Sequence, residues 1–234
     1  MNHTLPKRVV AEGIGTALLL AAVVGSGIMG ERLAGGNVAI ALLANTIATG
    51  AALVALILTF GPISGAHFNP AVTLADASQN GISWRETPLY IAGQIVGAFV
   101  GVASANVMFG LPVFFASHHA RTGSAQLFSE FVATFGLVAV IWGCARTRSA
   151  VVPFAVAAYI TSAYWFTAST SFANPAVTLA RSVSDSFAGI RPLDTPGFIV
   201  AQLLGATVAT MLFRWFASSL ATDADAVVIP HKQK

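Results

Sequence analysis

The residues with the clearest chemistry are two asparagines. Asn69-Pro70-Ala71-Val72-Thr73-Leu74-Ala75 recurs as Asn174-Pro175-Ala176-Val177-Thr178-Leu179-Ala180, seven identical residues 105 positions apart in a chain of 234. Asn is a favoured N-cap and Pro a favoured first helical residue, so each copy predicts the start of a short helix. Two acidic residues repeat as well: Glu12-x-x-x-Thr16 is matched by Glu130-x-x-x-Thr134. Each lies in an otherwise apolar run, where an ionisable group is costly unless it has partners. Catalytic signals are poor. His118-His119 has no acidic residue near it in sequence and reads as a solvated loop, and no nucleophile motif or metal cluster is evident. Cys144 stands alone, which excludes an internal disulfide and any multi-cysteine metal site. The expectation is a protein without enzymatic activity, cofactor or metal.

The elements that position these residues follow from composition. Only 9% of the residues are charged and 56% are apolar, against roughly 25% charged in an ordinary soluble domain. Too few charges remain to cover a water-facing surface, which argues against a soluble enzyme. The formal charge of +3 comes without a basic stripe, which argues against a nucleic-acid partner. A membrane-crossing helix needs about 20 mainly apolar residues. The charge-free runs predict six spans, near 7–30, 37–60, 86–109, 124–145, 150–168 and 196–217. The second and fifth are each followed by an apolar piece too short to cross, and those pieces carry the two Asn-Pro-Ala copies. Trp84, Trp142 and Trp215 fall near expected span ends, as interfacial anchors would.

A third match extends the repeat: Ala92-Gly93-Gln94-x-x-Gly97-Ala98 resembles Ala201-Gln202-x-x-Gly205-Ala206. The chain therefore divides into a tail at 1–6, a three-span repeat at 7–123 with a re-entrant half-helix at 69–79, a second repeat at 124–218 with a half-helix at 174–184, and a tail at 219–234. Three spans per half force opposite orientations, as in inverted-repeat transport proteins. The fold class expected is an all-α membrane protein of six transmembrane helices and two re-entrant half-helices. Half-helices entering from opposite faces would bring Asn69, Asn174 and two positive helix ends together at the midplane. Irregular backbone at that depth must be buried or line a wet cavity, so a central pore is inferred. Eight Lys or Arg fall on one side and four on the other, which places both termini in the cytoplasm.

The paired motifs, the lead-in Ile63-Ser64-Gly65-Ala66-His67-Phe68-Asn69 and the duplicated Glu-x-x-x-Thr resemble the aquaporin and aquaglyceroporin superfamily. The resemblance covers about residues 7 to 217. It implies a homotetramer with one pore per subunit, in a bacterial-type inner membrane. It implies that Asn69 and Asn174, with Pro70, Ala71, Pro175 and Ala176, form the pore midplane and donate to the permeating molecule. Glu12 and Glu130 would each accept hydrogen bonds from a re-entrant loop. His67 would brace the first loop, lining the inner half of the pore or simply packing in place.

Counting from the motifs, the family's outer constriction falls on Thr49, Ser162, Ser171 and Val177. The family's Arg is missing there, because Val177 stands directly after the second Asn-Pro-Ala. Arg181 follows one helical turn later, about 6 Å along the axis. Three readings are open for it: reaching back to the constriction, standing at the outer mouth, or supporting the half-helix and pairing with Asp185. Four small side chains predict a wide opening, and three hydroxyls both donate and accept. That suits small uncharged solutes: water, glycerol and neutral metalloid acids such as arsenous acid. The Thr49 and Val177 combination is similar to aquaglyceroporin-like channels associated with bacterial arsenic resistance. The alternative is a water-selective aquaporin with an atypical filter.

Overall fold

The computed structural model describes residues 3–216, and the tail expected at 219–234 lies outside them. Eight α-helices run in order: α1 (Leu5–Leu33), α2 (Val38–Ser64), α3 (Pro70–Ala77), α4 (Thr87–Met108), α5 (Ser124–Arg148), α6 (Val152–Phe166), α7 (Pro175–Arg181) and α8 (Thr195–Phe216). Single 3-10 turns precede α6 and α8. With the turn before it, each of the last two spans joins four other helices that are long and apolar enough to cross a membrane. All six agree with the expected spans to within a few residues. The largest difference is α2, which continues through Pro62 to Ser64. Proline is tolerated there because so little helix remains; Gly65, at φ 91°, closes the turn by donating its N–H to Gly61 O at 2.9 Å.

The short helices α3 and α7 are the expected half-helices, but each ends earlier, at Ala77 and Arg181. After α3 the amides of Gln79 and Gly81 turn back onto Asp76 O, and Asn80 takes φ 68°. After α7 the amides of Ser182 and Val183 bond Leu179 O and Ala180 O. Each half-helix packs on both α4 and α8, so each half of the chain clasps the other's re-entrant segment.

The two halves pack alike. α1 lies against α2 and α4, and α5 lies against α6 and α8. Glycine permits the closest crossings. A Cβ at Gly97 would fall on Gly13 O of α1, and one at Gly205 on Phe131 O of α5. Polarity is inverted relative to a soluble protein. Ile47, Val96, Phe154, Val200 and Met211 face outward, while Glu12, Glu130, Gln94 and Gln202 have no exposed surface. That distribution fits a lipid surround, where water is inside and hydrocarbon outside.

One expected anchor is corrected. Trp142 is only 2% exposed and donates Nε1–H to Thr210 Oγ1 at 3.2 Å. Because α5 continues to Arg148, Trp142 sits well inside the helix, packed against α8. Trp84 and Trp215 remain exposed.

Candidate functional site

The site is built from the two half-helix caps. Asn69 Oδ1 accepts Ala71 N–H at 2.9 Å, and Asn174 Oδ1 accepts Ala176 N–H at 3.0 Å, so each oxygen caps its own helix. The amide nitrogens cross over. Asn69 Nδ2 donates to Ala173 O, and Asn174 Nδ2 donates to Phe68 O, both at 2.7 Å. This exchange pins the two half-helices tip to tip. A carboxamide nitrogen carries two hydrogens, so each Asn keeps one N–H beyond the bridge. Both asparagines line a shared lumen.

The loops leading into the caps need support. Ala66, Phe68, Ser171 and Ala173 all sit at φ between 49° and 51°, a left-handed conformation unusual for residues with a Cβ. Each such residue costs on the order of 1 kcal/mol or more and persists only where its surroundings fix it. The buried carboxylates do this. Glu12 accepts the N–H groups of His67 and Phe68 at 3.0 and 2.7 Å. Glu130 accepts those of Phe172 and Ala173, both at 2.9 Å. Gln94 Nε2 then links Glu12 to Thr73 Oγ1 (2.7 and 2.8 Å), and Gln202 Nε2 links Glu130 to Thr178 Oγ1 (2.6 and 2.8 Å). The hydroxyls of Thr73 and Thr178 donate to Asn69 O and Asn174 O. Every member of these two relays comes from the repeated sequence.

His67 lines the lumen and also braces its loop. Its Nδ1 lies 3.1 Å from Thr73 Oγ1, and its Nε2 lies 3.5 Å from Asp76 Oδ2.

Between the ends the lumen wall is aliphatic, formed by residues such as Leu53, Ile57, Ile141 and Val156. Its space for water-sized molecules is about 70 Å³. One water needs roughly 10–15 Å³ by that measure, so the lumen has room for several waters. Apolar walls with a few aimed donors let a solute pass without binding tightly.

At the other end from His67, Thr49, Ser171, Val177 and Arg181 all line the lumen. Ser162 does not. It is exposed on the outer face of α6, with its hydroxyl donating to Tyr159 O at 2.7 Å. The fixed count from Asn174 ignored helical phase. Val156, Ile160 and Tyr164 are spaced four apart and share the lumen face, whereas Ser162 lies about 200° around the helix from its neighbours in that set. Tyr164 takes the place, its hydroxyl 3.3 Å from Thr49 Oγ1. The periodicity of α6 was the available signal.

Arg181 is 2% exposed and does not pair with Asp185. Its Nε donates to Ala188 O, and its guanidinium carbon lies 3.4 Å from the Phe172 ring centroid. An aromatic therefore stands where the sequence placed Ser162, and Arg181, with three readings open in the sequence, lines the lumen. Asp185 instead accepts His118 N–H at 2.9 Å and lies 2.9 Å from His118 Nδ1. These hydrogen bonds from His118 hold its carboxyl below the ordinary carboxylate value. So the histidine pair does have an acidic partner, distant in sequence.

The profile described as Major intrinsic protein matches residues 2–166 and, again, 145–233. The chain is 56% identical to "Aquaglyceroporin AqpS" of Rhizobium meliloti (strain 1021), over 90% of both chains. It is 32% identical to "Probable aquaporin AqpM" of Archaeoglobus fulgidus, over 93% of this chain and 99% of that one. Among solved structures, the X-ray structure of the aquaglyceroporin from Plasmodium falciparum superposes with a TM-score of 0.69, covering 94% of this chain and 100% of that one. At 21% identity that likeness shows the fold.

Proposed function

This chain belongs to the major intrinsic protein family, and we propose that it is a multi-pass membrane channel conducting small uncharged solutes passively through the lumen between its two Asn-capped half-helices. The single observation that carries this is the tip-to-tip arrangement of Asn69 and Asn174 on an otherwise aliphatic lumen. A passing molecule loses hydrogen bonds to water along that wall and regains them at the two spare amide N–H groups. Two half-helix N-termini meeting there disfavour cations.

The solutes proposed are water, glycerol and neutral arsenous acid. At the outer end the hydroxyl-bearing residues Thr49, Tyr164 and Ser171 line the lumen, and the small Val177 leaves room beside them. A polyhydroxylated neutral molecule can exchange hydrogen bonds with several of these groups at once. Assembly as a homotetramer in a bacterial-type inner membrane, with both termini cytoplasmic, belongs to the same proposal. One observation favours a second reading. Arg181 and Tyr164 both reach the lumen, and a cation plus an aromatic narrow the opening toward water selectivity.

Stopped-flow light scattering on proteoliposomes separates the two. Glycerol and arsenous acid are expected to equilibrate faster than in protein-free vesicles. Val177→Arg is expected to cut both more than it cuts water. Fast water flux alone, with no gain for either larger solute, would favour the water-selective channel.

A further inference from the structure

Arg121 lies in the connection between α4 and α5, far in sequence from either motif, yet it is only 8% exposed. Its backbone N–H donates to Asp194 Oδ2 at 2.9 Å. Its Nε donates to Gly189 O at 2.8 Å, and one terminal nitrogen lies 3.1 Å from Ser169 O and 3.4 Å from Thr170 Oγ1. Its guanidinium carbon lies 5.0 Å from the Phe172 ring centroid, the ring that also carries Arg181 at 3.4 Å. Both fall within cation–π range. Among the described residues neither guanidinium forms an ion pair with a carboxylate. Burying a cation with only carbonyl and aromatic partners is costly.

Arg121 does not line the lumen; Arg181 does. The residues that Arg121 grips, Ser169 and Thr170, open the left-handed stretch that carries Ser171 and Phe172. The other half of the repeat shows what such a loop needs to hold its shape. There His67 occupies the place of Phe172, and among the described residues the loop is held directly by Glu12 and Ser64, with Arg8 reaching it only through the Tyr90 hydroxyl. Glu130 already supplies the equivalent carboxylate on the outer side. Among the described residues, a direct arginine grip is thus particular to the outer loop.

We propose that Arg121 is a positioning residue for solute selection: from outside the lumen it locks Ser169–Phe172 so that Phe172 holds the Arg181 guanidinium in the constriction. The proposal rests on the reading above that the lumen is the solute path, with Arg181 acting in its constriction. Arg121 fixes the loop, the loop fixes the ring, and the ring restricts the guanidinium to one side of the path. Without the lock, Arg181 samples more positions and the opening widens on average.

The test is the ratio of glycerol to water permeability in proteoliposomes, which a general loss of folded protein does not move. Parent, Arg121→Gln, Phe172→Leu, Arg181→Leu and the Arg121→Gln/Arg181→Leu double variant are compared. Losing one cation–π contact corresponds to roughly a two- to fivefold change at the least, rising to about thirtyfold where the pair is fully desolvated. Arg121→Gln and Phe172→Leu are expected to raise the ratio by that factor, in the same direction as Arg181→Leu. The double variant is expected to match Arg181→Leu alone. An unchanged ratio in Arg121→Gln and Phe172→Leu, with a raised ratio in Arg181→Leu, would overturn the positioning role and leave the filter reading intact. An unchanged ratio in Arg181→Leu would remove the filter reading and this proposal together. If Arg121→Gln does not insert, Arg121→Lys keeps the charge without the planar fork. Its ratio, together with that of Phe172→Leu, then decides in the same way.

Discussion

At the scale of single residues, each midplane asparagine does two tasks with one carboxamide. The oxygen caps its own helix and the nitrogen ties the opposite loop. Aspartate can replace the cap but has no N–H to donate. Asn174→Asp is therefore expected to break the bridge to Phe68 O and place a negative charge at the midplane. Cation leak through proteoliposomes should rise above that of the parent at equal protein content. An unchanged leak would contradict a midplane position for Asn174. The asparagines, Glu12 and Glu130 were legible in the sequence because repetition marked them, and His67 through the family resemblance of its loop. Tyr164 and Arg181 were not. Ser162 was chosen by distance from Asn174, a count that carries no helical phase. Arg181 was left with three readings, because its course depends on Phe172 and Ala188 O, contacts made by tertiary folding.

At the scale of elements, the packing rests on glycines where helices cross most closely. Gly97 of α4 and Gly205 of α8 occupy matching places in the repeat, and each sits against a backbone carbonyl of the first helix in its half. A carbonyl cannot swing aside as a flexible side chain can, so an added methyl must separate the helices. Overpacking of this kind costs about 1–3 kcal/mol. Gly97→Ala and Gly205→Ala are each expected to lower thermal stability in detergent, whereas Val96→Ala, on the outward face, should change it little. Equal effects at all three positions would argue against these crossings. Helix existence was legible throughout because length and apolarity fix it. Helix ends were less so. α2 ran past the expected break at Gly61-Pro62, and the half-helices stopped short of 79 and 184. Those ends are set by where backbone amides find carbonyls in the folded loops, as Asp76 O and Ala180 O show.

At the scale of the whole molecule, the inverted repeat produces a lumen with two similar halves and dissimilar ends. The halves share their carboxylate–glutamine–threonine relays. One end presents His67 beside Asp76; the other presents Thr49, Tyr164 and Arg181. The relays hold strained loops still, and the proposed selection of solutes falls to the ends. In the proposed function, solute moves through this lumen. Val177 lines it in the first turn of the half-helix that Asn174 caps. The direct test is stopped-flow glycerol and water permeability of proteoliposomes bearing the parent or Val177→Trp at matched protein content. Both fluxes are expected to exceed those of protein-free vesicles in the parent and to fall to the protein-free level in Val177→Trp. Undiminished flux in a folded, inserted Val177→Trp protein would contradict the account.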